Sequence, residues 1–290
     1  MFQKTAYEKK QNGKKIIDSN CAIKIKDIIY PTLLKLSKSK VKFKIVKENK
    51  MKYFKDKPII FVANHTRFQD TPIVCKIINE EIKERGYIFA GKQKLSFLDN
   101  VFFELYGSIF LDRKNKDDMK VAQTALEEYL SIGKPVIIFP EATWNMTDEL
   151  LMMPMKWGII NSAKKENAQI IPLVLEYDDE EKKCTVVFDE PILIDLNSDL
   201  KTEIDNLRDK MATQIFELIS KKEVKRKDID ISEEKAKIHS VVEEYPNYDY
   251  EYEQSCVYKP YADAEEVFAP IKKLVPNKNN AFLFNKRNIG

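Results

Sequence analysis

The sequence predicts an α/β protein: a mostly parallel central sheet flanked by helices, with amphipathic helices ahead of it and an irregular or helical tail behind. Short apolar runs alternate with segments of helical period through most of the chain, and a parallel sheet covered on both faces produces that alternation. Two further observations agree. At 290 residues the chain is long enough for one large domain with appendages, on a prior of ~150 residues per domain. Several apolar runs also end in charged or hydroxyl-bearing residues, which is where parallel-sheet proteins keep their chemistry.

Residues 15–37 come first. Ile16, Ile17, Cys21, Ile25, Ile28, Ile29, Leu33 and Leu36 recur near a helical period with lysines between them. Pro31 ends or kinks any helix that reaches it, so two short amphipathic helices are expected. The candidate strands are 41–46, 58–63, 87–91, 108–111, 136–139, 169–175 and 185–188, each a short apolar run. Segments 71–85, 97–106, 117–132 and 155–166 read as helices between them, and 200–220 follows the last strand. Gly86, Gly107 and Gly133 fall just after helical segments, where a C-terminal cap is wanted. Asp70-Thr71-Pro72 reads as a helix start, with Asp70 as N-cap and proline in the first turn.

Beyond Lys221 the run to Lys227 opens a segment of little apolar periodicity, in which Tyr245, Tyr248, Tyr250, Tyr252, Tyr258 and Tyr261 crowd among acidic residues. Such a tail either wraps the main domain through its tyrosines or binds a partner. The expected divisions are a basic arm over 1–52, the α/β domain over 53–220 and the charged tail over 221–290.

Composition narrows the class. With 43% hydrophobic and 33% charged residues the chain is neither collagen-like, nor a disulfide scaffold, nor disordered throughout. Cys21, Cys75, Cys184 and Cys256 include no close pair of the kind that clips a metal, so no metal site is expected and reduced thiols in a cytoplasmic protein are. No window reaches the roughly 18 apolar residues of a membrane span, and no apolar secretory core precedes the first lysines. The expectation is therefore a cytoplasmic protein with no transmembrane segment.

Net charge is +3, yet residues 1–52 hold 15 lysines against Glu8, Asp18, Asp27 and Glu48. The helices of this arm pack their apolar stripe on the core or rest on an anionic membrane surface, and the two are compatible. The lysines make any such attachment peripheral and sensitive to salt. Nucleic acid is not an expected partner, because aromatic residues are not interleaved with the charges as single-strand binding requires.

The chain has two histidines, His65 and His239. His65 follows directly on the apolar run 58–63, and Asp70 stands one helical turn beyond it, which makes His65 the candidate general base. Taken alone that spacing proves little. Three later blocks sharpen it: Gly107-Ser108-Ile109-Phe110-Leu111-Asp112-Arg113, then Val136-Ile137-Ile138-Phe139-Pro140-Glu141-Ala142-Thr143-Trp144, then Gln169-Ile170-Ile171-Pro172-Leu173.

In that order and spacing the four blocks resemble the glycerolipid acyltransferase family that includes lysophosphatidate acyltransferase, over roughly residues 58–175. His65 and Asp70 match the family's His-x-x-x-x-Asp motif, and Phe110, Asp112 and Arg113 match its Phe-x-Asp-Arg. The third motif, Phe-Pro-Glu-Gly-Thr-Arg, is kept at Phe139, Pro140, Glu141 and Thr143 but broken by Ala142 and Trp144. The apolar strand around Pro172 stands for the fourth.

The resemblance implies a glycerol-3-phosphate acyltransferase-like fold over 53–220. It also implies transfer of a fatty acyl group from acyl-CoA or acyl-carrier protein to a hydroxyl of lysophosphatidate or a related lysolipid, with no permanently bound cofactor. His65 would take the acceptor proton directly, with no acyl-enzyme, while Asp70 fixes the tautomer and stabilises the imidazolium. The backbone amides after Glu141 or at the helix start beyond Asp70 would serve the oxyanion.

Arg113, Glu141 and Thr143 would hold the acceptor. Trp144 offers one donor and an aromatic face in place of a guanidinium, so Arg67, Lys92, Lys94 and Lys156 are the cations that would compensate. Ala142 in place of glycine predicts a turn of altered shape. Phe110 and Phe139 read as core, and the apolar helix 97–106 as core or as the lining of an acyl-chain tunnel.

Two alternatives stay open. One is an acyltransferase for a sugar, polyol or amino-lipid acceptor, suggested by the stacking face of Trp144. The other is a non-catalytic lipid-binding or scaffold protein on the same fold, suggested by the broken third motif, the basic arm and the tail.

Overall fold

The computed structural model describes residues 4–37, 41–92, 96–145 and 150–221, together with Ala236 and Ser240. The tyrosine-rich tail, His239 and Lys94 lie outside the described residues.

Seven helices and eight strands are described. They run α1 (Ala6–Gln11), α2 (Asn20–Ser37), β1 (Lys44–Lys47), β2 (Ile59–Ala63), α3 (Asp70–Ile82), β3 (Tyr87–Gly91), α4 (Phe97–Tyr106), β4 (Ile109–Leu111), α5 (Lys116–Ser131), β5 (Val136–Ile138), α6 (Gly158–Lys165), β6 (Gln169–Asp178), β7 (Lys183–Phe188), β8 (Ile192–Leu193) and α7 (Leu200–Ser220). The strands form one sheet in the order β1-β7-β6-β2-β5-β3-β4, with β8 pairing β6. Strands β6, β2, β5, β3 and β4 are mutually parallel, so their carboxyl ends share one edge, and β7 and β8 run antiparallel to β6.

Successive strand residues face opposite sides of the sheet. Ile60 and Val62 pack with α5, α6 and α7, while Phe61 and Ala63 pack with α2, α3 and α4. Both faces are therefore dry around the parallel core of the sheet, which is why β2, β4 and β5 are apolar throughout and do not alternate. Pro172 sits inside β6 opposite Val62. Its carbonyl accepts from Asp189, so its nitrogen also faces the side where β8 gives way to β7, and the missing N–H leaves the parallel ladder with β2 intact.

Several boundaries differ from the sequence reading. The 15–37 segment holds one helix, α2, which continues through Pro31. Burial of Ile23, Tyr30, Leu33 and Leu34, at ~1.5–3 kcal/mol per large apolar side chain, outweighs the ~3 kcal/mol that an internal proline costs. Helix α1, closed by a reciprocal Thr5–Glu8 capping box, was not anticipated. Residues ahead of 53 contribute β1 to the sheet and Ala6 to the core.

Helix α3 starts at Asp70 with Gln69 at the N-cap, and ends where Lys83 turns left-handed at φ 59°. That turn sends Arg85 into the interior, where it pairs with Asp27 at 2.9 Å and donates to the Tyr87 hydroxyl. Gly86 is accordingly not a cap; it is small because a Cβ would lie 2.6 Å from Ile137. Gly107 and Gly133 are left-handed as expected, at φ 86° and 76°. Strand β6 runs three residues past the predicted end and turns back into β7.

Candidate active site

The carboxyl edge of the parallel strands gathers the sequence-nominated groups. His65 follows β2, Lys92 follows β3, Arg113 follows β4 and Glu141 follows β5. The loop after β2 is held by Asn64, whose buried amide donates to the Leu175 carbonyl and accepts from the Leu175 N–H. Asn64 thereby continues the β2–β6 ladder by one rung and fixes the direction in which His65 leaves the sheet.

His65 Nδ1 lies 2.9 Å from Asp70 Oδ2. The same oxygen accepts the backbone N–H groups of Thr66 at 2.6 Å and Arg67 at 2.9 Å. The other carboxylate oxygen of Asp70 accepts from the Tyr177 hydroxyl. Asp70 is fully buried, so this set of donors is what makes its charge tolerable there. The first turn of α3, where Asp70 sits, adds the favourable end of a helix dipole. Asp70 is thus not the N-cap that the sequence suggested; it ties down the loop that carries His65.

Tyr177 comes from the extended end of β6. Burial, then the neighbouring Asp70 carboxylate, raise its pKa well above that of an ordinary phenol, so it remains a donor. Phe139, read from sequence as core, stacks against the His65 ring with centroids 4.2 Å apart. From the third-motif loop Trp144 approaches edge-on at 82°, and its indole N–H donates to His65 Nε2 at 2.9 Å. Both imidazole nitrogens are therefore bonded, one to a carboxylate and one to an indole.

Glu141 does not face an open cleft. It is 3% exposed, and its two oxygens accept the backbone N–H groups of His65 at 2.9 Å and Met153 at 2.7 Å. Burial raises its pKa to about 8, against the lowering effect of those two amides. Glu141 thus couples the His65 loop to the segment before α6. Thr143 is buried beside it, with a hydroxyl that meets no hydrogen-bond partner among the described residues.

Ala142 adopts φ 62°. The third-motif turn therefore keeps a conformation that suits glycine, closed by the Ala142 N–H donating to Phe139 O at 3.1 Å, and the expectation of an altered turn is corrected. The interactions of the turn override the intrinsic preference of alanine. The Ala142 amide, one of the backbone donors nominated from sequence for the oxyanion, is thus engaged in closing the turn. Arg113 lies across Gly91, where a Cβ would come within 2.7 Å of its Nε, and donates from Nη1 to the Ala142 carbonyl.

Two of the other nominated cations, Arg67 and Lys92, are engaged elsewhere. Arg67 makes a two-pronged pair with Asp179 at 2.9 and 3.3 Å and lies 4.0 Å above the Tyr177 ring. Lys92 pairs with Glu8 of α1 at 3.0 Å. Tyr177, Asn64 and Phe139 are site residues that sequence reasoning missed. Tyr177 lies 107 residues from Asp70, and no local pattern links them.

Beside the start of α3 an apolar pocket is lined by Phe68, Thr71, Pro72, Phe102, Phe103 and Tyr106, with Asp99 at its rim. Helix α4 divides accordingly: Phe103 and Tyr106 are core, whereas Phe97 and Leu98 are exposed. Among the described residues no group of three or more His, Cys, Asp or Glu side chains is placed to hold a metal.

A His–Asp pair stands at the carboxyl edge of the parallel sheet, with an anchored glutamate in the loop after the neighbouring strand β5, and residues 44–176, which contain them, match the family model Acyltransferase. The likeness to glycerolipid acyltransferases read from the four blocks extends to curated proteins. Over 122 residues this chain is 30% identical to 1-acyl-sn-glycerol-3-phosphate acyltransferase from Saccharomyces cerevisiae, an alignment covering 41% of this chain and 39% of that protein. It is 24% identical over 122 residues to the enzyme of the same name from Chlamydomonas reinhardtii, covering 41% and 34%. The chain thus spans less than two-fifths of the length of these two relatives. The fold is that of the 1-acyl-sn-glycerophosphate (LPA) acyltransferase PlsC from Thermotoga maritima, with a TM-score of 0.54 at 19% identity over 69% of this chain and 84% of that one.

Proposed function

We propose that this protein is an O-acyltransferase that moves a fatty acyl group from acyl-CoA or acyl-carrier protein to a hydroxyl of lysophosphatidate or a related lysolipid. The observation that carries the reading is the His65 Nδ1 to Asp70 Oδ2 bond. With Nδ1 donating to the carboxylate, the neutral ring keeps its lone pair on Nε2, the tautomer a general base needs. The acceptor O–H gives its proton to Nε2 as its oxygen bonds to the thioester carbonyl carbon. The C–S bond then breaks, and the leaving thiolate takes the proton back from the imidazolium. No acyl-enzyme is formed and no cofactor is consumed. The pocket between α3 and α4 supports an apolar seat for the acyl chain.

The test is acyl-thioester consumption with lysophosphatidate presented in vesicles. His65→Ala is expected to abolish transfer, and Asp70→Asn to lose on the order of a thousandfold or more. Full activity in His65→Ala would remove the mechanism. Retention of tight lysolipid binding without turnover in the wild type would instead identify a lipid-binding protein on this fold.

A second reading concerns the acceptor. Arg67 and Lys92 are committed to Asp179 and Glu8, and indole stands where the family carries a guanidinium, so a sugar, polyol or amino-lipid acceptor without phosphate is the alternative. Paired acceptors with and without the phosphate discriminate, and a strict phosphate requirement excludes it.

Peripheral attachment to anionic membrane is part of the same proposal. It is supported by an outward apolar stripe on α2, where Ile25, Ile28 and Leu36 are exposed, and by Phe97 and Leu98 of α4, a helix in contact with α2. Among the described residues no helix is long and apolar enough to cross a membrane.

A further inference from the structure

The indole of Trp144 occupies the position on His65 that an acceptor hydroxyl must reach. Its N–H points at Nε2 from 2.9 Å, the two rings meet edge to face at 82°, and Trp144 is buried. Indole is a donor only and holds its proton at any physiological pH. While it is in place the Nε2 lone pair is filled by a hydrogen that cannot be transferred, and no proton can be taken from another molecule.

We propose that Trp144 is a specificity-determining residue of this site: its indole N–H covers the His65 lone pair against water and yields only to a lipid alcohol. The inference rests on the reading of His65 as the base. Its physical ground is a difference in what each competitor returns. Water can replace the hydrogen bond to Nε2 but not the contact area of the ring, and an aromatic side chain buries on the order of 150–250 Å². A lysolipid brings both a hydroxyl and an apolar chain, so it offsets the loss of ring contact as well as of the bond.

The two outcomes differ only in the attacking oxygen. Attack by the lipid alcohol gives ester and thiol. Attack by water through the same proton path gives free fatty acid and thiol, and wastes the thioester. An arginine at position 144, as in the family motif, would bind anions but would not blank the base in the same way, because a guanidinium is drawn to phosphate and not to an uncharged ring nitrogen. Trp144 thus exchanges a phosphate-holding group for one that guards the base.

The chain's two histidines make the test clean. In a His239→Gln background His65 is the sole histidine, and its carbethoxylation by diethyl pyrocarbonate reports access to Nε2 without reference to turnover. Trp144→Phe keeps an aromatic ring and deletes the N–H. It is expected to raise the carbethoxylation rate about fivefold, in line with loss of one neutral hydrogen bond. It should also raise the ratio of fatty acid to ester formed from a long-chain acyl-CoA by a similar factor.

Nitrogen-15 NMR of the wild-type imidazole checks the contact with no substitution at Trp144: a scalar correlation from the indole proton to Nε2 is expected. Unchanged carbethoxylation and product ratio in Trp144→Phe, or no such correlation, overturns the proposal while leaving the His65–Asp70 mechanism standing. Undiminished transfer by His65→Ala removes the mechanism and this inference with it.

Discussion

Asp70 accepts from His65, Thr66, Arg67 and Tyr177, and this shared load sets what single substitutions do. The Tyr177 hydroxyl takes part of the carboxylate's charge. Tyr177→Phe, which keeps the ring under Arg67, takes a donor from a buried carboxylate and should cost about 1.5–3 kcal/mol in urea unfolding. An unchanged unfolding midpoint would mean that Tyr177 only packs. Glu141 gives a stability signature that depends on pH. Its pKa is about 8 when folded against 4.5 for the free group, so the native state binds the proton more tightly than the unfolded chain does. Its stabilising contribution is full below about pH 4.5 and is lost as pH rises towards 8. Urea midpoints measured from pH 5 to 8 should therefore fall, and Glu141→Gln, whose side chain does not titrate, should show a flatter dependence.

At the scale of elements, the loop between β5 and α6 carries a strained residue at the site. Ala142 at φ 62° pays roughly 1–2 kcal/mol for a left-handed conformation, of which glycine would return part, since it also loses more backbone entropy on folding. Ala142→Gly should raise stability by about 0.5–1 kcal/mol in thermal or urea unfolding, with the position of Trp144 unchanged. Helix α2 makes a different case, because it is apolar on two sides. Ile23, Tyr30, Leu33 and Leu34 face the core, while Ile25, Ile28 and Leu36 face out, Ile28 being 77% exposed. The sequence showed a single stripe, and a 3.6-residue period cannot say how a wide apolar arc is shared between a protein core and a lipid surface.

Across the whole molecule, exposed apolar side chains on α2 and α4 and a lysine-rich N-terminal segment predict binding to anionic vesicles that weakens as salt is raised. Ile28→Glu should reduce vesicle affinity about tenfold while leaving the unfolding midpoint near wild type, because the side chain contributes little to the core. Sedimentation with vesicles at two salt concentrations measures both effects, and salt-insensitive binding would count against the electrostatic part. The sequence by itself determined the α/β class, most strands and helices, and the His65–Asp70 pair. Those depend on local periodicity and on two groups five residues apart on one turn. Only the tertiary structure decided that Tyr177 supports Asp70 from 107 residues away, that Phe139 lies against the imidazole, that Glu141 anchors backbone, and that Trp144 meets Nε2. These contacts exist because parallel strands bring distant loops to one edge of the sheet, and neither spacing nor composition along a chain records which loops will meet there.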